Sequence, residues 1–378
     1  MNTINTHKAS SDGHSMPKNG AGKTALVLAG GGLVGIAYEV GALYAIEHSL
    51  VDVGANDFDI YVGTSAGATV SALLANGFSP RMMLQAIEGQ HRETRPFLRR
   101  DLLRFNPGRF LSAGLRLPRR LWDTGQRYWR DVRDNSLFGA LWVLLDLLPP
   151  SLYETRSLEV YLRELISALG GSNEFDELAK DLNIIATRLD SGERAVFNRD
   201  SDVRISEAIA ASSAVPGLYR PVRINGVNYV DGGVRGNASI DLAVERGATA
   251  VVCVNPIVPF DGQQNGHGVR QNASMQAVLT QVMRTRIHAG LHYHIKHMRA
   301  VYPQVNFHLI EPAQDDGVML APNLMRHRDR LQIVRGAFES VARQLACDHE
   351  TWSALWQRHG VAVRPGLESW APVARGRA

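Results

Sequence analysis

Ser65 lies in IYVGTSAGAT (60–69), where an apolar run of strand character gives way to small residues. Gly63-Thr64-Ser65-Ala66-Gly67 fits G-x-S-x-G, in which a serine is held on a sharp strand-to-helix turn with its hydroxyl lifted clear of the sheet. Glycines flank it because a side chain at either position would collide with the neighbouring strand or helix. The chemistry this implies is nucleophilic, helped by a helix N-terminus whose free N–H groups favour negative charge. The plainer reading of the same residues is a serine N-cap in a Gly-rich turn. A second glycine run, AGGGLVG (29–35), carries two competing functions. As G-x-G-x-x-G, Gly30, Gly32 and Gly35 would bind a dinucleotide, which requires an acid at the end of the second strand. That strand ends in Gly63, Thr64 and Ser65 instead, while Asp57 and Asp59 stand at its beginning. As a loop of free amides, Gly30, Gly31 and Gly32 would form an oxyanion hole facing Ser65, and this reading is favoured.

A serine nucleophile needs a base, and the usual hydrolase order is serine, acid, histidine. Nine late histidines are available (His267, His288, His292, His294, His297, His308, His327, His349 and His359), yet none occupies a strand-end turn. His288, His292, His294 and His297 share one long helix, and a pair among them has the i, i+4 spacing of metal ligands. With no third ligand type evident in sequence they read as a polar helix face, and neither metal nor cofactor is expected. Asp231 in YVDGGVRGN ends a strand, and Gly232 and Gly233 after it allow close backbone approach. It is either the first residue of an Asp-Gly turn or the direct base for Ser65.

These residues must be positioned by the elements between them. KTALVLAGGG (23–32) reads as strand and turn, LVGIAYEVGALYAIEHSL (33–50) as a helix, FDIYVG (58–63) as a strand, and ATVSALLANG (68–77) as a helix stopped by Gly77. A β, α, β, α order implies a parallel sheet covered by helices, with both glycine motifs at its carboxyl edge. After residue 155 the alternation resumes. LNIIATRLDSGERAVFN (182–198) reads as a hairpin turning at Asp190, Ser191 and Gly192, RISEAIAASSAVPGL as a helix halted by Pro216, and GVNYVDGG as a strand into a turn. IDLAVERGATAVVCVNP gives a further helix and buried strand. Met275, Val278, Leu279, Val282, Met283, Ile287, Leu291, Ile295 and Met298 mark one face of a long amphipathic helix, and Leu331, Val334, Phe338, Val341 and Leu345 mark another.

The whole chain of 378 residues is 45% hydrophobic and 21% charged, ordinary for a folded protein with a sizeable core. Its two cysteines cannot make a disulfide framework, which points to a reducing compartment. The net charge of +4 is unevenly spread. Residues 92–133 hold twelve arginines against four acids, a local +8 that leaves the remainder at −4. Such a basic stretch points to an anionic partner surface.

AGGGLVG (29–35), GTSAG (63–67) and DGG (231–233), with ASSAVPGLYRPV (211–222) before the last, together resemble the patatin-like phospholipases in order, spacing and context. The likeness covers roughly residues 24–90 and 156–256. It implies a three-layer α/β/α fold with a mostly parallel central sheet, to which this chain's own pattern adds a helical insertion and C-terminal helices. It also implies a Ser-Asp dyad without histidine: Ser65 as nucleophile, Asp231 as base, the amides of Gly30, Gly31 and Gly32 as oxyanion hole, and Gly35, Gly63, Gly67, Gly232 and Gly233 as motif support. The substrates implied are acyl esters of phospholipids, lysophospholipids or neutral lipids, with no metal. Where that family usually has Arg or Lys this chain has Val34, and Arg235 or an arginine of the insertion is the candidate replacement. A histidine-assisted α/β-hydrolase esterase and a non-catalytic lipid- or partner-binding module are the competing readings.

The expected organisation is a flexible leader (1–23), an acyl hydrolase domain (24–310) with a basic helical insertion at about 90–155, and a C-terminal helical extension and tail (311–378). Arginines interleaved with aromatics and leucines, followed by the apolar run at 137–148, fit a basic amphipathic surface on anionic lipid through residues 92–150 as well as a docked helical cap. That run is too short to span a bilayer, which takes about 20 residues. The expectation is a cytoplasmic protein with a peripheral membrane face and no nucleic-acid partner.

Overall fold

The computed structural model describes residues 22–88, 151–260, 275–313 and 327–366. The leader, almost all of the basic insertion with its 137–148 run, and the last residues of the tail lie outside them. In chain order the elements are β1 (Lys23–Leu28), α1 (Gly32–Ser49), β2 (Ile60–Thr64), α2 (Ala66–Ala75), α3 (Pro80–Ile87), β3 (Ser151–Tyr153), α4 (Arg156–Ala168), β4 (Asp181–Arg188), β5 (Arg194–Phe197), α5 (Ile205–Ser212), β6 (Gly217–Tyr219), β7 (Val222–Ile224), β8 (Val227–Asp231), α6 (Ile240–Glu245), β9 (Ala248–Val254), α7 (Met275–Val301), β10 (Asn306–Ile310), α8 (His327–Cys347) and α9 (His349–Gln357).

The main sheet is hydrogen-bonded in the order β10-β9-β1-β2-β4-β8-β7, with β5 also paired to β4. β10, β9, β1, β2 and β4 run parallel, and β5, β8 and β7 add antiparallel pairs. Alternation along the strands builds two cores. Leu26, Leu28 and Tyr61 face a large cluster with α1, α2, α4, α5, α8 and α9, while Ala25, Val27, Ile60 and Val62 face a smaller one with α6 and α7. Helices therefore cover both faces, giving the three-layer α/β/α architecture that the family resemblance implies.

The helix read as running to Pro216 stops at Ser212, four residues early, because Ser212 and Ala214 turn to serve the site described below. The segment expected as a C-terminal extension shares the main core. A Cβ on Gly41 of α1 would lie 2.8 Å from the Ala337 Cβ of α8. In α9, which no sequence pattern announced, Trp352 and Trp356 are fully buried, and the Trp352 indole N–H donates to Ser49 Oγ at 3.0 Å. Among the described residues, the apolar face read on α7 is buried only in its second half. Leu291, Ile295 and Met298 are buried, whereas Met275, Val278, Leu279, Val282 and Met283 are exposed. No helix among the described residues is long and apolar enough to cross a membrane.

One feature of α1 works against stability. The Glu39 carboxyl is wholly buried, neither oxygen has a hydrogen-bond partner among the described residues, and burial raises its pKa well above the ordinary carboxyl value. An unsatisfied buried polar group costs about 1–3 kcal/mol. Glu39→Met, similar in length and unbranched, is expected to raise the unfolding free energy at neutral pH, read from urea titration, by an amount of that order. A variant less stable than the parent would mean that the acid is satisfied.

Candidate active site

Three chain segments meet at the carboxyl edge of the sheet. At the first, β2 turns into α2 through Ser65, which takes φ 53 and ψ −115, a region that side-chain-bearing residues rarely adopt. Holding a non-glycine residue there costs about 1–3 kcal/mol, so the surroundings must impose it. A Cβ at Gly63 would come within 2.6 Å of the Ala68 Cα, and one at Gly67 would overlap the Leu28 carbonyl, so the bend is closed to larger residues on both sides. From behind, Ser212 Oγ accepts the Ser65 N–H at 2.8 Å and donates to the Ile185 carbonyl at 2.6 Å, tying the elbow to β4 and the end of α5.

The second segment is the end of β8, and its placement follows from register. Ile185 of β4 pairs with Val196 of β5 and Thr64 of β2, and the next residue, Ala186, pairs with Ala195 of β5 and Asp231 of β8. Since β5 occupies one edge of β4 throughout, β8 succeeds β2 along the other. Asp231 thus arrives where β2 leaves for Ser65. The Ser65 hydroxyl donates to the Asp231 carboxylate, and the Gly233 N–H donates to Asp231 Oδ1 at 2.7 Å. Gly232 fits against β4, where a Cβ would lie 2.5 Å from the Ile185 oxygen. Ser65 holds the N-cap position of α2, yet its side chain makes no capping bond, which removes the plainer reading of that residue.

Both side chains are largely buried. Burial pushes the Asp231 pKa from 3.8 up to about 6, with the Ser65 and Gly233 hydrogen bonds pulling the other way. An isolated carboxylate so placed is a better proton acceptor than one in water.

The glycine loop between β1 and α1 is the third segment. It lies against the elbow: a Cβ on Gly30 would sit 3.2 Å from Ser65 Cβ, and one on Gly35 would sit 3.3 Å from Ala66 Cβ. The three glycines read as an oxyanion hole are not equivalent. The Gly30 N–H donates to Asn237 Oδ1 at 3.0 Å and is taken, while the amides of Gly31 and Gly32 have no acceptor among the described residues. Asn237 also donates to the Gly30 carbonyl at 3.2 Å and to Asn255 Oδ1 at 3.2 Å, so it clamps the loop from both sides. The first turns of α1 and α2 contain no acidic residue, so neither positive helix end near Ser65 is offset by an acid of its own first turn.

Ser212, Asn237 and Asn255 were not singled out in sequence, although Ser212 and Asn237 lie inside quoted motif stretches. Arg235 does not stand in for a cation at position 34: its guanidinium donates to the Gly192 carbonyl at 3.1 Å, on the β4–β5 turn. Val34 itself packs on the main core. Four of the described late histidines face other groups. His308 is buried beside Trp352, where desolvation lowers its pKa to about 4. His288 and His292 both face Glu311, and His294 lies 4.0 Å from Asp241.

A family model described as patatin-like phospholipase matches residues 26–244. The probable lipid hydrolase 463L of Invertebrate iridescent virus 6 is 22% identical over 223 residues, covering 58% of this chain and 63% of that protein. The uncharacterized protein YjjU of Escherichia coli strain K12 is 28% identical over 240 residues, covering 62% and 52%. This chain thus spans less than two thirds of the length of these curated relatives. Among solved structures, VipD from Legionella pneumophila shares 16% identity at a TM-score of 0.39, over 86% of this chain and 67% of that one. The type III effector ExoU of Pseudomonas aeruginosa shares 16% identity at a TM-score of 0.34, over 91% and 55%. The matched stretch of more than half the chain contains all three site segments, from Gly30 through Ser65 to Gly233: the chain belongs to the patatin-like phospholipase family.

Proposed function

We propose that this protein is a serine lipolytic acyl hydrolase that cleaves carboxylic esters of phospholipids, lysophospholipids or other lipids through a Ser65–Asp231 dyad. The observation that carries the reading is the hydrogen bond from the Ser65 hydroxyl, on a strained elbow, to a buried carboxylate with no histidine between them. Family membership and the printed name of the viral relative, a probable lipid hydrolase, support the substrate class.

Asp231 accepts the Ser65 proton as Oγ attacks the ester carbonyl, and the tetrahedral oxyanion is received by free amides. Gly31 and Gly32 supply them, with Gly30 as the anchored end of the loop. The alcohol leaves with the proton held by Asp231, and the acyl chain stays on Ser65. Water, giving its proton to Asp231, then attacks the acyl ester. The fatty acid leaves as Ser65 recovers its hydrogen. Two helix N-termini favour the developing negative charge throughout. An acyl chain lying over the site expels water and keeps the carboxylate basic.

An anionic membrane as partner rests on the arginine excess of residues 92–133, and the apolar stripe of α7 that no described residue buries adds surface suited to lipid. A fluorophosphonate probe tests the central claim without knowledge of the natural substrate. It is expected to label the protein covalently at Ser65, as located by peptide mass spectrometry. A properly folded protein that resists the probe would instead be a binding module.

A further inference from the structure

We propose that His288, His292 and Glu311 form a binding site for a divalent transition metal of the zinc class, separate from the ester chemistry. In sequence the two histidines lack a third ligand. The fold supplies it, because Glu311 follows β10 at the carboxyl edge of the sheet and faces α7. Its Oε1 lies 3.1 Å from His288 Nε2 and 2.8 Å from His292 Nε2, and the three candidate ligand atoms all fall within 4.8 Å of one another. Both imidazoles stand one turn apart on the same face of a long helix, with ring centroids 4.2 Å apart.

Two imidazole nitrogens and one carboxylate oxygen are a ligand set used by zinc, which takes tetrahedral bonds of about 2.0–2.2 Å to such atoms. That geometry places ligand atoms about 3.3 Å apart, so the two sides that join Glu311 Oε1 to the imidazole nitrogens need to open by only a few tenths of an ångström. Each neutral ring then presents its Nε2 lone pair and carries its proton on Nδ1. His288 and Glu311 are mostly shielded while His292 is half-exposed, which gives an ion an entry side and leaves its fourth position to water.

Metal ligands are oriented by hydrogen bonds behind them, and Glu311 has such a support. Asn255 Nδ2 donates to Glu311 Oε2 at 3.4 Å, while Asn255 Oδ1 accepts from Asn237, the clamp on Gly30. The carboxylate is thereby connected to the glycine loop through two buried asparagine side chains.

The full-length, untagged protein is titrated with zinc against a chromophoric chelator. One equivalent of zinc is expected to be held against the chelator. His292→Ala and Glu311→Gln are each expected to weaken that binding by about tenfold or more, whereas His297→Ala, an exposed histidine on the same helix, leaves it unchanged. Zinc raises the unfolding temperature of the parent and not of the two ligand variants. No stoichiometric binding, or equal affinity in the parent and in His292→Ala and Glu311→Gln, overturns the proposal. His292 is half-exposed, so its variant keeps the test decisive even if Glu311→Gln is poorly folded.

Discussion

Ser65→Ala is expected to reduce turnover of a p-nitrophenyl acyl ester by about 10⁴- to 10⁶-fold, the order of loss that follows removal of the nucleophile from a serine hydrolase. Stability should change far less. Alanine keeps the left-handed backbone strain of φ 53, because the elbow is imposed by β2, α2 and the Ser212 hydroxyl rather than by the Ser65 side chain. What is lost is one hydrogen bond to Asp231, worth about 1–3 kcal/mol when the acceptor is charged. Ser65→Gly separates strain from chemistry. It removes the same hydroxyl but relieves the backbone, so it should be equally inactive and more stable than Ser65→Ala. Turnover near the parent level in both variants, with circular dichroism unchanged, would place the nucleophile elsewhere.

The motifs around Ser65, Gly30 and Asp231 were legible in sequence for a physical reason. Parallel strands deliver their carboxyl ends to one edge, so a motif after each strand is enough to gather the loops. How closely they meet was not legible. Asp231 reaches Ser65 because β8 takes over the edge of β4 one residue after β2 leaves it, a register relation between segments some 170 positions apart. No local periodicity encodes it. The same limit hid Asn237, whose bonds to Gly30 removed one of three expected oxyanion donors, since a lone asparagine has no spacing to betray its partner. Glu311 was missed as well: two histidines at helical spacing announce themselves, while an acid on another element becomes their neighbour only after folding. On α7 periodicity located the apolar face, and it carries no information on which part of that face the other described elements bury.

Asp231→Asn should lose activity to a similar degree, about 10⁴-fold or more, and gain stability in a manner that depends on pH. The parent carboxyl has a pKa of about 6 when folded, against 3.8 as the ordinary value. A raised folded pKa means the native state binds its proton more tightly than the unfolded chain does. The stability it lends is therefore fully present below about pH 4 and is lost as pH rises through 6. Two pKa units correspond to about 3 kcal/mol, so the folded parent carries roughly that burden at neutral pH. Asparagine cannot ionise and escapes it. Urea midpoints of the two proteins, compared across this range, should diverge in favour of Asp231→Asn as pH rises from 4 to 7 and run parallel above that. In the same window kcat/KM of the parent should climb to a plateau with an apparent pKa near 6, because only the ionised carboxylate can accept the Ser65 proton. A stability gap that does not vary with pH, together with an acid limb well away from 6, would separate Asp231 from the role of base. A gap that opens as expected beside an inactive variant would tie the loss of stability and the basicity to one cause, a carboxylate held out of water against Ser65.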